Sequence, residues 1–256
     1  MDPVRIYFVG TAGSGKSTLT QAFKLWMDQQ GFNAITVNLD PGVEELGYAP
    51  DVDIRDWVSV PQIMAERGLG PNGAQIACAD LAAARFPEIS GVIEGFRSDY
   101  ILIDTPGQIE LFAFRQASEI FLNAFPTQRN IIVFVLDPAV AKTPVGLVSL
   151  LMLSSSIKFR FDSPMELVLG KSDLLELDEI ERIKEYCQNP ESLMFALSEG
   201  SMDMRAVAAT EFLRAMETLG ARMVPKPVSG VEMTGLEEIY STVQLIFFGG
   251  EDLSPD

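Results

Sequence analysis

Short, uninterrupted apolar runs alternate along this chain with longer stretches of helical periodicity. The runs at 4–9, 34–39, 100–103, 131–136, 165–169 and 222–228 predict strands. Several are rich in Val and Ile and show no period-two alternation, as expected of strands covered on both faces. Helices are predicted at 16–29, 116–124, 145–156, 178–186, 206–219 and 236–247. Strand–helix repetition of this kind specifies an α/β three-layer sandwich, a mostly parallel sheet with helices on both faces.

The stretch between the second run and Tyr100 breaks the alternation and is too long for one ordinary crossover. It shows no strand pattern. A turn-rich piece at 41–56 is followed by a short helix at 60–66, a Gly/Pro break at 68–73 and an alanine-rich helix at 74–84, extending at most to Phe86. The reading is a helical insertion at about 41–98 built on the same core, with 1–256 as a single domain. Trp57, Ile63 and Met64 fall at helical spacing and read as core, with a partner groove as the alternative. Residues 249–256 read as a short frayed tail.

The 256 residues, 47% hydrophobic and 21% charged, suffice to bury a full core. No apolar run reaches the roughly 18 residues of a membrane span, and the start, Met1-Asp2-Pro3-Val4-Arg5, lacks a secretory pattern. A net charge of −17 disfavours direct nucleic-acid binding and anionic membranes. A single nucleotide is different, because backbone N–H groups, one Lys and Mg²⁺ neutralise it locally. Two cysteines and no histidine exclude Ser-His-Asp and Cys-His catalysis and a structural zinc cage. The cysteine usage fits a reducing compartment, hence a cytoplasmic protein.

Gly10-Thr11-Ala12-Gly13-Ser14-Gly15-Lys16-Ser17 matches G-x-x-x-x-G-K-[ST], the phosphate-binding P-loop, between a strand and an amphipathic helix. Gly13, Ser14 and Gly15 lie where the backbone curls so that successive N–H groups face the phosphates. Lys16 is expected to bridge the β- and γ-phosphates, Ser17 to ligate Mg²⁺, and Thr18 to lie near the α-phosphate. A nucleoside triphosphate is therefore the expected ligand, on a P-loop NTPase sandwich.

Such a site needs a carboxylate at the end of a neighbouring strand. Asp104 and Asp137 both end apolar runs. Asp104-Thr105-Pro106-Gly107-Gln108 has the D-x-x-G form, in which the Gly107 N–H senses the γ-phosphate and Gln108 orients the attacking water. Asp137, before Pro138, reads better as a turn. Asp40 follows the second strand and faces the same crevice. It ligates Mg²⁺ through water, takes the water proton, or merely starts a turn at Asp-Pro-Gly; these alternatives stay open on spacing alone.

Gly170-Lys171-Ser172-Asp173 resembles [NT]-K-x-D with Gly first. In that motif the Asp accepts from guanine N1–H and the 2-amino group, a donor pair adenine lacks, while the Lys stem packs along the base. Taken with Asp104 and Gln108, Asp173 and Lys171 favour GTP over ATP. Val228-Ser229-Gly230 falls where a backbone loop would contact the base.

Gly70-Pro71-Asn72, within the insertion, is by itself a turn. Together with the P-loop, Asn38-Leu39-Asp40-Pro41, the D-x-x-G motif and Lys171/Asp173, it makes the chain resemble the GPN-loop GTPases over nearly its whole length. The resemblance implies a Mg²⁺-dependent GTPase acting as a homodimer that switches conformation with its nucleotide. In such proteins Gly70, Pro71 and Asn72 of one subunit would reach toward the other's nucleotide. The Asn72 amide then stands where other GTPases place an arginine finger, which implies modest intrinsic hydrolysis. The resemblance also raises Asp40 to a catalytic or Mg²⁺-linked residue. Eukaryotic members are linked to assembly of RNA polymerase II, so a protein client (that polymerase or another complex) is implied. Many of them carry a long C-terminal tail; a chain ending soon after its last helix resembles an archaeal-type member.

Rival readings fit less well. A metal-insertion GTPase needs interfacial Cys and His. A partitioning ATPase needs a second P-loop lysine, where Thr11 stands. A small-molecule kinase would need basic residues in the insertion. A nucleotide-dependent assembly factor without turnover remains the alternative of a different class.

Overall fold

The computed structural model describes residues 2–109, 116–123, 125, 129–199, 204–218 and 224–249. Among these residues the sheet has seven strands: β1 (Val4–Gly10), β2 (Ala34–Asn38), β3 (Val52–Asp53), β4 (Tyr100–Asp104), β5 (Asn130–Leu136), β6 (Met165–Leu169) and β7 (Lys226–Pro227). The order is β3-β2-β4-β1-β5-β6-β7, and every neighbouring pair is parallel.

The missing period-two pattern has a direct cause. Tyr7, Val9, Ile35, Val37, Ile101, Ile103, Ile132 and Phe134 bury into one layer, while Val4, Ile6, Phe8, Ala34, Leu102, Ile131 and Val133 bury into the other. Both side-chain rows of the central strands are therefore buried and largely apolar, with Arg5, Thr36, Asn38 and Asn130 as buried polar exceptions. The second layer is closed by α1 (Lys16–Gln29), through Leu19, Phe23 and Met27, and by the C-terminal helix at 236–248, through Leu236, Ile239 and Val243.

The first layer is closed by α2 (Val60–Arg67), α3 (Pro71–Gly95), α4 (Gln116–Asn123), α6 (Pro144–Arg160), α7 (Leu177–Gln188), α8 (Pro190–Glu199) and α9 (Met204–Thr218), after the single turn α5 (Pro138–Ala141). The C-terminal helix, α10, is Leu236–Phe248. Ile63 is buried in the first layer, with Trp57 and Met64 half-buried against it, so Ile63 is core and the other two lie at its margin.

Four expectations need adjusting. The insertion contains a strand after all: β3 pairs Val37 with Val52 and Asn38 with Asp53. Two residues are too few for a periodic signal; the pairing is reinforced by Val52 in the core and by Asn38 Nδ2 donating to Asp53 Oδ1 at 3.0 Å. Helix α3 begins at Pro71, with Gly70 as its N-cap, and continues past Pro87 to Gly95. Pro is pre-set for the first helical position, so Gly70-Pro71-Asn72 starts a helix. Proline normally interrupts a helix, yet the buried seam Ala74, Cys78, Ala82, Phe86, Ile89 and Ile93 runs through it. Helix α6 spans Pro144–Arg160, beyond the expected 145–156, and starts at a Thr143 cap whose Oγ1 accepts from the Gly146 N–H at 3.1 Å. The last strand shrinks to Lys226–Pro227. Positions 124, 219, 222–223 and 250–256 of the expected elements lie outside the described residues.

Candidate nucleotide site

Strand register places the chemistry. Phe8 pairs with Asp104, Asn38 also pairs with Asp104, and Gly10 pairs with Val135. The P-loop, Asp40 and Asp104 thus leave the sheet together at the carboxyl ends of adjacent strands, where open α/β sheets bind ligands.

In the loop, Gly13 (φ 76°) and Gly15 (φ 98°) adopt the left-handed conformation that side chains resist. Lys16 follows at the first position of α1, whose first turn carries no acidic residue to offset the helix's positive end. Its Nζ donates to the carbonyls of Gly10 (3.0 Å) and Thr11 (2.9 Å). Burial lowers the Lys16 pKa, while Asp104 and then Asp40 raise it. Ser14 is fully buried, and its Oγ has no hydrogen-bond partner. Ser17 is half-buried, and Thr18 is exposed beside it.

Asp104 is 1% exposed. Burial pushes its pKa up to about 6, against the lowering effects of Ser17, Lys16 and Tyr48. Among the described residues its buried Oδ1 finds no hydrogen-bond partner. An unsatisfied carboxylate oxygen beside a serine hydroxyl and a lysine fits a Mg²⁺–phosphate pair, which takes few protein ligands. Among the described residues no group of three or more His, Cys, Asp or Glu forms a metal cage, so phosphate oxygens would have to complete the coordination. Asp137 caps α5, accepting from the Ala139 N–H at 2.9 Å, which is the turn reading.

Asp40 joins two segments. Its Oδ1 accepts from the Gly42 N–H (2.8 Å) and its Oδ2 from the Gly107 N–H (3.1 Å). The carboxylate after β2 is therefore in contact with the glycine of the D-x-x-G motif. Gln108 follows, half-buried. Gly70, Pro71 and Asn72 are exposed at the start of α3. Pro71 shares a groove of about 1080 Å³ with Pro41, Gly42, Met64, Leu69 and Gln75, so the insertion lies against the loop that follows Asp40.

The base motif closes a separate cavity of about 210 Å³, lined by Thr18, Gly170, Lys171, Asp173, Val228 and Gly230 among others. The Lys171 ammonium donates to the Gly13 carbonyl, and the lysine stem passes Gly15. Gly170 replaces the usual Asn or Thr for a steric reason. A Cβ there would lie 2.7 Å from Val135 Cγ1 and 2.8 Å from the Ser14 carbonyl oxygen. The bracing comes instead from Ser229, fully buried, whose Oγ donates to Asp173 Oδ1 at 2.5 Å.

Two residues at the site escaped the sequence reading, Ser229 as a side chain and Tyr48 altogether. Tyr48 Oη donates to Asp104 Oδ2 at 3.2 Å. No motif flags either one, although Ser229 lies in the loop read as base-contacting.

Comparison with known proteins bears on this geometry. A family of conserved hypothetical ATP-binding proteins matches residues 8–247. GPN-loop GTPase PAB0955 of Pyrococcus abyssi is 37% identical over 72% of this chain and 73% of its own length. GPN-loop GTPase 1 of Dictyostelium discoideum is 28% identical over 95% of this chain, which spans only 61% of that relative. The crystal structure of PAB0955, described as a GTPase in apo form, superposes with a TM-score of 0.83 at 32% identity, covering 94% of this chain and 96% of that one. The chain belongs to the GPN-loop GTPase family.

Proposed function

We propose that this chain is a Mg²⁺-dependent GTP hydrolase of the cytoplasm, working as a homodimer whose conformation follows its nucleotide in the assembly of a protein complex. The observation carrying the proposal is the convergence at the carboxyl ends of neighbouring strands, where the P-loop after β1 lies beside Asp104 of β4 and Asp40 holds the Gly107 N–H. Residues 1–256, insertion included, act as one domain in this reading.

The P-loop N–H groups and Lys16 bind the β- and γ-phosphates, with Thr18 near the α-phosphate. Mg²⁺, held by Ser17 and Asp104 with Asp40 through water, would offset charge on the phosphate oxygens. Gly107 marks the γ-phosphate, Gln108 orients water, and Asp40 is placed to take its proton. Asn72, exposed on its own chain, suits an amide that serves the partner subunit's nucleotide, with Gly70 and Pro71 setting the helix start.

The matching family's description names ATP, whereas the named relatives are GTPases. Asp173, fixed by Ser229 beside an apolar cavity, supports guanine. The client, RNA polymerase or another complex, would be sought by affinity purification in GTP-locked and GDP states.

Single-turnover hydrolysis tests the catalytic assignments. Asn72→Ala and Gln108→Leu should each slow hydrolysis by about 10- to 1000-fold and leave GTP affinity within about twofold. Unchanged rates in both variants would remove these residues from the mechanism.

A further inference from the structure

We propose that Tyr48 is a positioning residue for Asp104: it anchors one carboxylate oxygen so that the other stays free for the cation. The proposal rests on Asp104 being the Mg²⁺ carboxylate. The two oxygens of Asp104 are unlike in the structure. Oδ2 accepts from the Tyr48 hydroxyl at 3.2 Å, whereas Oδ1 is buried without a hydrogen bond. A metal-binding carboxylate is oriented by the partners behind it, and such partners matter to metal affinity.

The fold brings Tyr48 there deliberately tethered. Asp51, shortly after it, is stapled to β2: its Oδ2 accepts from the Thr36 N–H (2.8 Å) and Oγ1 (3.0 Å), and its own N–H donates to the Thr36 carbonyl at 3.0 Å. Asp53 then pairs with Arg55 at 2.6 Å, and Arg55 Nη1 donates back to the carbonyls of Val43 (3.2 Å) and Glu44 (3.3 Å). At the other end of the segment Asp40 holds Gly107. One stretch, 40–51, therefore touches both ends of the D-x-x-G motif, through Tyr48 at Asp104 and Asp40 at Gly107. A tyrosine there for packing alone would not need its hydroxyl, and a phenylalanine would fill the same space.

Tyr48→Phe removes only that hydroxyl. Release of N-methylanthraniloyl-GDP is followed while Mg²⁺ is titrated, and again in EDTA. The Mg²⁺ concentration that half-maximally slows release should rise about tenfold, the lower end for such partners. Release in EDTA and the melting temperature should match wild type. Asp104→Asn is the reference. If it leaves the Mg²⁺ requirement unchanged, the metal reading of Asp104 fails and the Tyr48 proposal with it. If it raises the requirement and Tyr48→Phe does not, the Tyr48 proposal alone is overturned. In the double variant Tyr48→Phe should add nothing to Asp104→Asn; an additive loss contradicts action through that carboxylate. Faster release in EDTA together with a lower melting temperature would make Tyr48 part of the framework and overturn the proposal.

Discussion

At Gly170 the base motif lacks its usual side chain, and the cause is contact, since Val135 and the Ser14 carbonyl occupy the space. Restoring the common residue should therefore do harm. Gly170→Asn is expected to cost about 1–3 kcal/mol of stability by overpacking, read as a lower denaturant midpoint, and to weaken GDP binding. Tighter binding by that variant would show that the position was merely unfilled. The cysteines give an independent check on burial. Cys78 and Cys187 are free and buried, and burial pushes the Cys187 thiol up to about 12. Ellman's reagent at pH 8 should find no fast thiol in the native protein and both after unfolding; a fast native thiol would contradict the packing. Candidate positions were legible wherever a motif fixes spacing, as for Lys16, Asp104 and Asp173. Tyr48 and Ser229 act through contacts to residues 56 positions away, and no local pattern encodes those.

Elements follow from burial more than from propensity. The central strands were legible because both faces are buried, which leaves largely apolar runs without alternation. Strand β3 was not, since two residues, Val52 and Asp53, are too few for a periodic signal. Helix α3 was cut short in the sequence reading because Gly70, Pro71 and Pro87 look like breakers one at a time. The structure makes Gly70 a cap and Pro71 a first helical residue, and carries the helix past Pro87 on its buried seam. Phe86 within that seam packs on Phe121 with ring centroids 4.5 Å apart. Ile89, fully buried, should then cost about 2–5 kcal/mol when cut to alanine. Val92, 44% exposed on the same helix, should cost less than about 0.5 kcal/mol. Equal losses at the two positions would mean that α3 does not pack by this seam.

For the whole molecule, the decisive arrangement is that β1 lies between β4 and β5, with β2 beside β4. The P-loop, Asp40 and the D-x-x-G motif, far apart in sequence, thereby meet at the carboxyl ends of a parallel sheet, with the base motif beside the P-loop. The insertion joins the same buried layer, Ala74, Ile63 and Ile54 packing in one cluster with Ile103 and Val37. No helix among the described residues is long and apolar enough to cross a membrane. The fold class was readable from strand–helix alternation, and so was the order of motifs along the chain. Their spatial neighbours were not, because strand order is set by crossovers that leave no periodic mark.

The central claim is that these motifs form one site selecting and hydrolysing guanine nucleotide. Single-turnover hydrolysis of GTP, ATP and XTP by wild type and Asp173→Asn tests it most directly. Wild type should turn over GTP and discriminate against ATP and XTP. The variant's amide can donate to the 2-carbonyl of xanthine, so it should lose GTP and gain XTP by about tenfold or more each. Equal turnover of ATP and GTP by wild type, or an unchanged preference in Asp173→Asn, would contradict the account.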